Sequence, residues 1–544
     1  MAGMTARLVV GGEQKNHILE ANTGGCCLFD YDGDGDLDVF LTNGSRRGGF
    51  APGMEPRAVL YRNDGVSNDG SWRFADRSAA SGANVHGWGM GCAAVDYDGD
   101  GWLDLYLTNY GANTLLHNHG DGTFSDVAGD LGVSGHAWSS GAAFGDYDGD
   151  GDLDLYVASY VDLAAGEGVQ EVGPGPCTWR GLEVFCGPAG LTPAADYLFL
   201  NGGPAKGFSF SEVGEAWGIR ETGPYFGLGV LAFDFDDDGD LDIYVANDSQ
   251  PNLLLRNDRQ VLDQGHGQRL VDVALAAGVA HSADGRNQAG MGVASSDCDG
   301  DGDLDLLVTN FSHDYNALYR NRSDGTFSET SFGSGIGAAS MGVLGWSAGF
   351  LDYDNDGDDD LFVANGHVYP QLGTGQGLGT RYAQRNQLFE NLGAGRFVDL
   401  SQRSGTGMMV QKSSRGAAFG DLDNDGDIDI LVANIDDTPT LLRNDGGNRG
   451  RHLIVQLLDP VGANRFAVGA RVSVRMGSHF QVREVRSGTG YLSQDDLRLH
   501  FGLGDAIAAQ ELTVRWPNGD EERFHNVAGG RQVSITRGRG IAPR

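Results

Sequence analysis

Seven nine-residue stretches of the form D-x-D-x-D-G-x-x-D stand out in this 544-residue chain, starting at Asp30, Asp96, Asp146, Asp234, Asp297, Asp352 and Asp421. Carboxylates at the first, third, fifth and ninth positions supply the oxygens that a Ca2+ ion takes in numbers of six to eight. The glycine at the sixth position allows the sharp turn. The seventh position offers its backbone carbonyl, which any side chain tolerates.

The candidate ligands follow residue by residue. They are Asp30, Asp32, Asp34, Asp36 and Asp38 in the first loop, and Asp96, Asp98, Asp100, Trp102 and Asp104 in the second. The third holds Asp146, Asp148, Asp150, Asp152 and Asp154, and the fourth Asp234, Asp236, Asp238, Asp240 and Asp242. The fifth holds Asp297, Asp299, Asp301, Asp303 and Asp305, and the sixth Asp352, Asp354, Asp356, Asp358 and Asp360. The seventh holds Asp421, Asp423, Asp425, Asp427 and Asp429. An EF-hand loop begins in the same way but needs an acid at position twelve and flanking helices. Here position nine closes the loop and strand-like runs flank it. A solvated acidic turn is the plain alternative for one copy; recurrence in one context favours about seven structural Ca2+ ions, bound as the chain folds.

The net charge of −37 is a product of these loops. They hold 36 Asp, and residues 1–450 carry 66 acidic against 25 basic residues, whereas 451–544 has 13 Arg against 9 acids. Such acidity argues against a nucleic-acid or anionic-lipid partner. No apolar run approaches the ~18 residues of a membrane span, so insertion is not expected.

The flanks of the loops repeat as well, and repeats decide the architecture. A run of small apolar residues such as GCAAV or GAAFG precedes each loop, and a β-rich run such as LDLYLTN or LDIYVAN follows. A further apolar run ends at Asn63, Asn118, Asn201, Asn257, Asn321, Asn391 or Asn444, and a turn and another strand come next. Four strands per unit, seven times over, predict an all-β chain: a seven-bladed β-propeller at 1–447 with calcium loops, then a small β-sandwich or barrel at 448–544. Spacing places insertions near 44–57, 160–195 and 366–386. Thr5–Val10 is expected to supply the outer strand of blade seven and so close the ring. The Arg-rich strands of the tail are candidates to dock on the acidic propeller.

A propeller usually binds ligands at its central funnel. Residues just before each inner strand are expected there: Glu20, Asn22, His86, Trp88, His136, Trp138, Tyr225, Phe226, Asn287, Gln288, Trp346, Lys412 and Arg415. Two H-x-W triplets at equivalent positions suggest aromatic walls with a polar floor, and His86 and His136 are the candidate acid–base pair. Channel packing accounts for the same residues equally well. The chain has no G-x-S-x-G, H-E-x-x-H or P-loop, so no specific motif supports catalysis.

The loops and their flanks resemble the FG-GAP/VCBS repeats of integrin-type propellers. The tail strings NRGRHLIVQL, REVRSGTGYLSQDDLRLHFGLG and LTVRWPNGD resemble the ASPIC/UnbV domain. Together they resemble the cartilage acidic protein/UnbV family. That resemblance implies an extracellular calcium-binding propeller, and some bacterial members are associated with enediyne antibiotic gene clusters. Two functions follow as expectations: a secreted binding or scaffold protein with a small-molecule or protein ligand at the funnel, or an enzyme of natural-product biosynthesis using the funnel His and Trp residues. MAGMTARLVV lacks the apolar core of a secretion signal, so either a signal has been removed or the protein is cytoplasmic. Cys177 and Cys186 close a short loop and are expected to form a disulfide suited to an extracellular or periplasmic compartment. Cys26, Cys92 and Cys298 occupy positions held elsewhere by packing residues. Oligomeric state is not legible.

Overall fold

The computed structural model describes residues 3–67, 70–162, 177–258, 270–373, 378–446 and 450–543. Seven antiparallel meanders follow one another from Cys26 to Leu442. The first consists of Cys26–Phe29, Asp38–Leu41, Val59–Val66 and Trp72–Asp76, paired in sequence order. Sheets two to six repeat this four-stranded pattern, and sheet seven has three strands, Ser414–Gly420, Asp429–Asn434 and Thr440–Leu442. Each first strand touches the first strands of its two neighbours, and Cys26–Phe29 touches Ser414–Gly420, so the cycle closes. This is a β-propeller, and closure leaves only the short outer strands as edges.

The Asp loops join the first and second strands of every sheet. Their sequence follows from backbone geometry. The sixth-position glycines all have φ between +93° and +103° (Gly35, Gly101, Gly151, Gly239, Gly302, Gly357 and Gly426). The fourth position is also left-handed, which accounts for Asp237, Asn355 and Asn424 where other copies have glycine. Aspartate and asparagine are the non-glycine residues that tolerate this region best.

At or near the end of each third strand an asparagine latches two sheets together. Asn118 Nδ2 donates to Leu103 O of its own sheet at 3.1 Å and to Tyr31 O of the preceding one at 2.9 Å. The second bond recurs from Asn201 to Tyr97, Asn257 to Tyr147, Asn321 to Phe235, Asn391 to Cys298 and Asn444 to Tyr353. Asn63 closes the cycle on Leu422 at 2.8 Å. The recurring asparagines are thus inter-sheet ties rather than mere strand ends.

The expected outer strand at Thr5–Val10 is not in that position. Leu8 forms a single parallel bridge with Ile435, beyond the second strand of sheet seven. The amides of Thr5 and Ala6 donate to Tyr61 Oη, and Val9 N donates to Asn43 Oδ1. The segment therefore lies between sheets seven and one. Among the described residues nothing pairs with the outer edge of Thr440–Leu442. The insertion expected near 160–195 contains the hairpin Cys177–Trp179 and Leu182–Val184. Residues 163–176, 374–377 and the expected domain boundary at 447/448 fall outside the described residues.

The tail forms two four-stranded sheets. One runs Leu499–Gly504, Arg451–Leu458, Arg531–Thr536, Gly540–Pro543, and the other His479–Glu484, Arg471–Met476, Ala508–Arg515, Glu521–Ala528. Their apolar faces share one core with sheets two and three of the propeller, joining Val455, Phe501 and Val514 to Val95 and Phe144. Arginines reach across as well. Arg515 binds Asp234 and Asp237, each at 2.6 Å, and Arg483 binds Asp359.

The segment 486–496 leaves the tail and enters the propeller's centre. It bonds to six sheets: Cys26 O and Leu28 N to the Gln494 backbone, Cys92 N to Leu492 O, Phe144 bridged to Ser487, Val293 N to Gly490 O, Ser347 Oγ to Tyr491 N, and Phe419 N to Asp495 Oδ1. Glycine is needed where these backbones meet. A Cβ on Gly25 would lie 2.1 Å from Leu492 O, and one on Gly488 (φ +87°) 2.1 Å from Ala142 O. The channel is plugged by the chain's own tail.

Candidate functional site

Each Asp loop organises its carboxylates through its own backbone. In the first, Asp30 Oδ2 accepts from Gly35 N at 2.9 Å, and its Oδ1 from Gly33 N and Asp34 N. The ninth-position Asp38 accepts from Tyr31 N of its own loop and Asn63 N of the third strand, so it is fixed from both sides. These bonds leave the third-position carboxylates pointing inward. Asp32 Oδ1, Asp236 Oδ1, Asp299 Oδ1, Asp354 Oδ1 and Asp423 Oδ1 are all buried with no hydrogen-bond partner. Orphaned buried acceptors are costly unless something fills them.

The ninth-position acids point to the same need. Burial pushes Asp38 and Asp429 up to about 9, and Asp104 and Asp305 up to about 7; neighbouring carboxylates add to the rise. Asp154, Asp242 and Asp360 are raised well above the usual range for the same reason. A cation among them reverses that logic. Oxygens of Asp30, Asp32 and Asp38, of Asp96, Asp98 and Asp100, of Asp146, Asp148 and Asp154, and of Asp234, Asp236 and Asp242 lie within 4.8 Å of one another and could hold a metal ion. The residues fit an oxygen-seeking cation. Side chains from outside reach several loops: Arg320 pairs with Asp299 at 3.1 Å, Arg483 with Asp359, and two more contacts fall on first-, third- and ninth-position acids. His117 Nδ1 stands 3.2 Å from Asp104 and 3.4 Å from Asp98, and Arg515 occupies one oxygen of Asp234.

The funnel expectations fare differently. With the channel plugged, the open space is a pocket of about 410 Å³ near Trp346. Of the expected residues only Asn22 and Trp346 line it. Trp346 is buried between Tyr491 of the plug, 4.7 Å away, and the Arg415 guanidinium, 4.1 Å over its ring. Arg415 is itself buried and donates to Ala21 O and Ser414 O. His86 and His136 are both exposed and outside the pocket, so they form no acid–base pair there. Glu20 is buried, its carboxylate accepting from the amides of Gly12, Asn16 and His17. Trp88, Trp138 and Phe226 are buried and Tyr225 half-buried, and Trp138 packs 4.8 Å from Tyr160. Asn287 is exposed, Gln288 donates to Asp314, and Lys412 bonds Thr438 O beside sheet seven.

Residues that sequence reasoning passed over build the walls. Trp179 and Phe185 come from the hairpin insertion, and Phe311 and Tyr369 from loops after second strands. Trp179 lies 5.9 Å from Tyr369 and 6.4 Å from Phe311, and Phe185 5.0 Å from Tyr369. The disulfide Cys177–Cys186 ties the hairpin's ends, as expected. His367 sits behind this wall, its Nδ1 accepting from Tyr369 N and its Nε2 meeting Ser312 Oγ at 2.9 Å. Burial lowers its pKa to about 3, with Arg415 and His313 adding to the effect. Asp248 supplies an acceptor held by Tyr160 Oη at 2.6 Å and Ser249 Oγ at 2.9 Å. The signal for these wall residues is their common place after the second strand, on the face opposite the Asp loops. Cys92 is no mere packing residue: it forms a disulfide with Cys27 across adjacent inner strands.

The repeated Asp loops on closed four-stranded sheets define a propeller of FG-GAP-like repeats. That repeat model matches residues 30–107, 96–157, 297–363 and 352–432, and an ASPIC and UnbV model matches 460–542. The chain belongs to the cartilage acidic protein/ASPIC-UnbV family. It is 26% identical to cartilage acidic protein 1 of Homo sapiens over 300 residues, 54% of this chain and 41% of that protein. Against the Mus musculus protein the identity is 26% over 284 residues, 51% and 40% of the two chains. The matched region thus spans about two fifths of these relatives' length. Solved structures similar to it include the Dos1 propeller (TM-score 0.37, 8% identity, 81% of this chain and 96% of that one). An Agrocybe aegerita lectin specific for non-reducing terminal N-acetylglucosamine gives a TM-score of 0.38 at 14% identity, covering 80% and 93%.

Proposed function

We propose that this protein is a secreted binding module whose Asp loops hold structural Ca2+ and whose ligand enters the aromatic pocket opposite them. The observation that carries the calcium reading is the set of orphaned third-position carboxylate oxygens, repeated in five loops. An all-oxygen donor set with a backbone carbonyl suits Ca2+ better than a softer ion. The two disulfides favour an oxidising compartment.

The pocket suits a small organic molecule that stacks on Trp179, Phe311 and Tyr369 and donates hydrogen bonds to Asp248 or Asp314. The one hydroxyl–imidazole contact at its lining among the described residues, Ser312 Oγ to His367 Nε2 at 2.9 Å, involves an imidazole that burial lowers to about 3, too weak a base to activate the hydroxyl, so binding is the reading supported here. Two measurements test it. Calorimetric titration of chelator-treated protein with Ca2+ should approach one ion per loop; a stoichiometry of one or none defeats the calcium reading. Saturation-transfer NMR with an aromatic amine and alcohol fragment set should give signals that Trp179→Ala removes. Signals indifferent to that change would place binding elsewhere.

A further inference from the structure

Six propeller sheets show what belongs on the outer edge of a third strand. Their fourth strands place Phe74, Phe124, Phe210, Leu270, Phe327 and Phe397 opposite the latch asparagines Asn63, Asn118, Asn201, Asn257, Asn321 and Asn391. Two residues later each has an acid: Asp76, Asp126, Glu212, Asp272, Glu329 or Asp399. That carboxylate accepts the amide two positions further on, as from Ala128 N to Asp126 at 3.0 Å. The pattern is aromatic-x-acid in five sheets and Leu-x-acid in the fourth, antiparallel, in fixed register.

Sheet seven is built to the same plan as far as Thr440–Leu442, and the tail's first strand begins at Arg451. Among the described residues no fourth strand follows, and all three residues of Thr440–Leu442 are half-buried. The neighbouring sheet carries a second mark of the missing strand. The second-position side chains Tyr31, Tyr97, Tyr147, Phe235, Cys298 and Leu422 are all buried, whereas Tyr353 is half-buried. Three of them have the next sheet's fourth-strand phenylalanine against them: Tyr31–Phe124 and Tyr97–Phe210 at 6.2 Å, Phe235–Phe327 at 6.1 Å. Tyr353 is the position that sheet seven's fourth strand would cover.

A groove of about 740 Å³ runs beside the open edge, with Met4, Trp72, Phe74, Val410 and Leu441 in its wall. Among the described residues its charged lining is Arg73, Lys412 and Arg443 with no acid, in a chain of net charge −37. Lys412 and Arg443 already pair with Asp437 and Asp445, so the lure for an incoming carboxylate is the surplus of cations lining the groove itself.

The geometry points to Thr440–Leu442 as a strand-addition site for a partner chain carrying an extended aromatic-x-acid segment, its aromatic residue opposite Asn444 on Tyr353 and its acid opposite Leu442. Main-chain bonds to the edge supply affinity, and the aromatic and acid supply specificity. This goes beyond the pocket, which lies elsewhere in the ring.

The probe is a fluorescein-labelled peptide of this chain's own fourth-strand sequence, Gly-Thr-Phe-Ser-Asp-Val (residues 122–127), with Ca2+-loaded full-length protein. Anisotropy should saturate, and hydrogen exchange over 440–442 should slow. A Phe124→Ala peptide should bind at least about tenfold more weakly. Tyr353→Ala in the protein should weaken the parent peptide similarly, and the peptide comparison stands even if that variant folds poorly. No saturation at about 1 mM overturns the proposal. So does equal binding of the two peptides. A dimer of the protein alone with 440–442 protected would make a second copy the occupant and overturn it too.

Discussion

Asn63 Nδ2 donates to Leu422 O at 2.8 Å across 359 residues of sequence. The same amide donates to Leu37 O at 3.1 Å, so one side chain ties the first sheet to the seventh. Asn63 is 1% exposed, which keeps water from replacing either bond. Asn63→Ala strands both carbonyls in the interior. Each buried unsatisfied group costs roughly 1–3 kcal/mol, so a loss of about 2–6 kcal/mol is expected in urea denaturation. A loss below about 0.5 kcal/mol would mean the latch is a consequence of closure and no support for it.

Chelation is expected to lower the melting temperature steeply. At Ca2+ 100-fold above Kd each occupied loop adds about 2.7 kcal/mol, because ions bind the folded loops and scarcely bind the open chain. Differential scanning calorimetry in excess EDTA and in excess Ca2+ measures the difference. Superimposable melts would deny the loops a structural role.

Tyr491 is fully buried at the tip of the plug, with its amide on Ser347 Oγ and its ring on Trp346. Tyr491→Ala leaves an aromatic-sized void in the channel and should cost about 3–5 kcal/mol. The propeller and the tail should lose structure in one transition. Two separate transitions, with only the later one shifted, would show that the plug does not couple them.

His367 gives the pocket wall a pH dependence with a definite sign. Its folded pKa of about 3 lies below its unfolded value, so its contribution is fully present above the unfolded pKa and is lost as pH falls towards the folded one. Between about pH 6.5 and 4 the wild-type protein should lose stability faster than His367→Gln, by up to about 1.4 kcal/mol per pH unit. Parallel pH profiles for the two proteins would rule the histidine out.

Cys177→Ser releases the ends of the hairpin that carries Trp179 and Phe185. The ring should survive, because no propeller strand pairs with the hairpin. Trp179 is expected to become more accessible to acrylamide quenching, with the melting temperature nearly unchanged. An unchanged quenching constant would mean that packing on Tyr369 alone holds the hairpin.

The parts of this structure that repeat were legible in the sequence, because each copy checks the others. A glycine at the sixth motif position or an asparagine at a strand end is weak alone and decisive at seven equivalent places. The parts that occur once were not. The plug segment RSGTGYLSQDD has neither strand nor helix period, since its partners are the inner edges of six different sheets instead of one flat sheet. Trp179, Phe311 and Tyr369 lie on loops of unequal length, so counting from the motifs cannot align them. Cys27 and Cys92 are 65 residues apart, and only the ring brings neighbouring inner strands into contact. Thr5–Val10 alternates as a strand should, yet pairs at Ile435 because the space between sheets seven and one takes its apolar side chains.

The plug also fixes an order of events for a chain emerging from the ribosome. Gln494 must meet Cys26 and Leu28, contacts separated by more than 460 residues, and long-range contacts of this kind slow folding. Seven sheets can be synthesised while the centre of the ring is still hollow. Until residues 486–496 are made, the inner-edge groups that they bond lack those partners. Nascent chains are therefore expected to be most prone to aggregation just before the plug segment is made, with its arrival completing the ring's inner bonds.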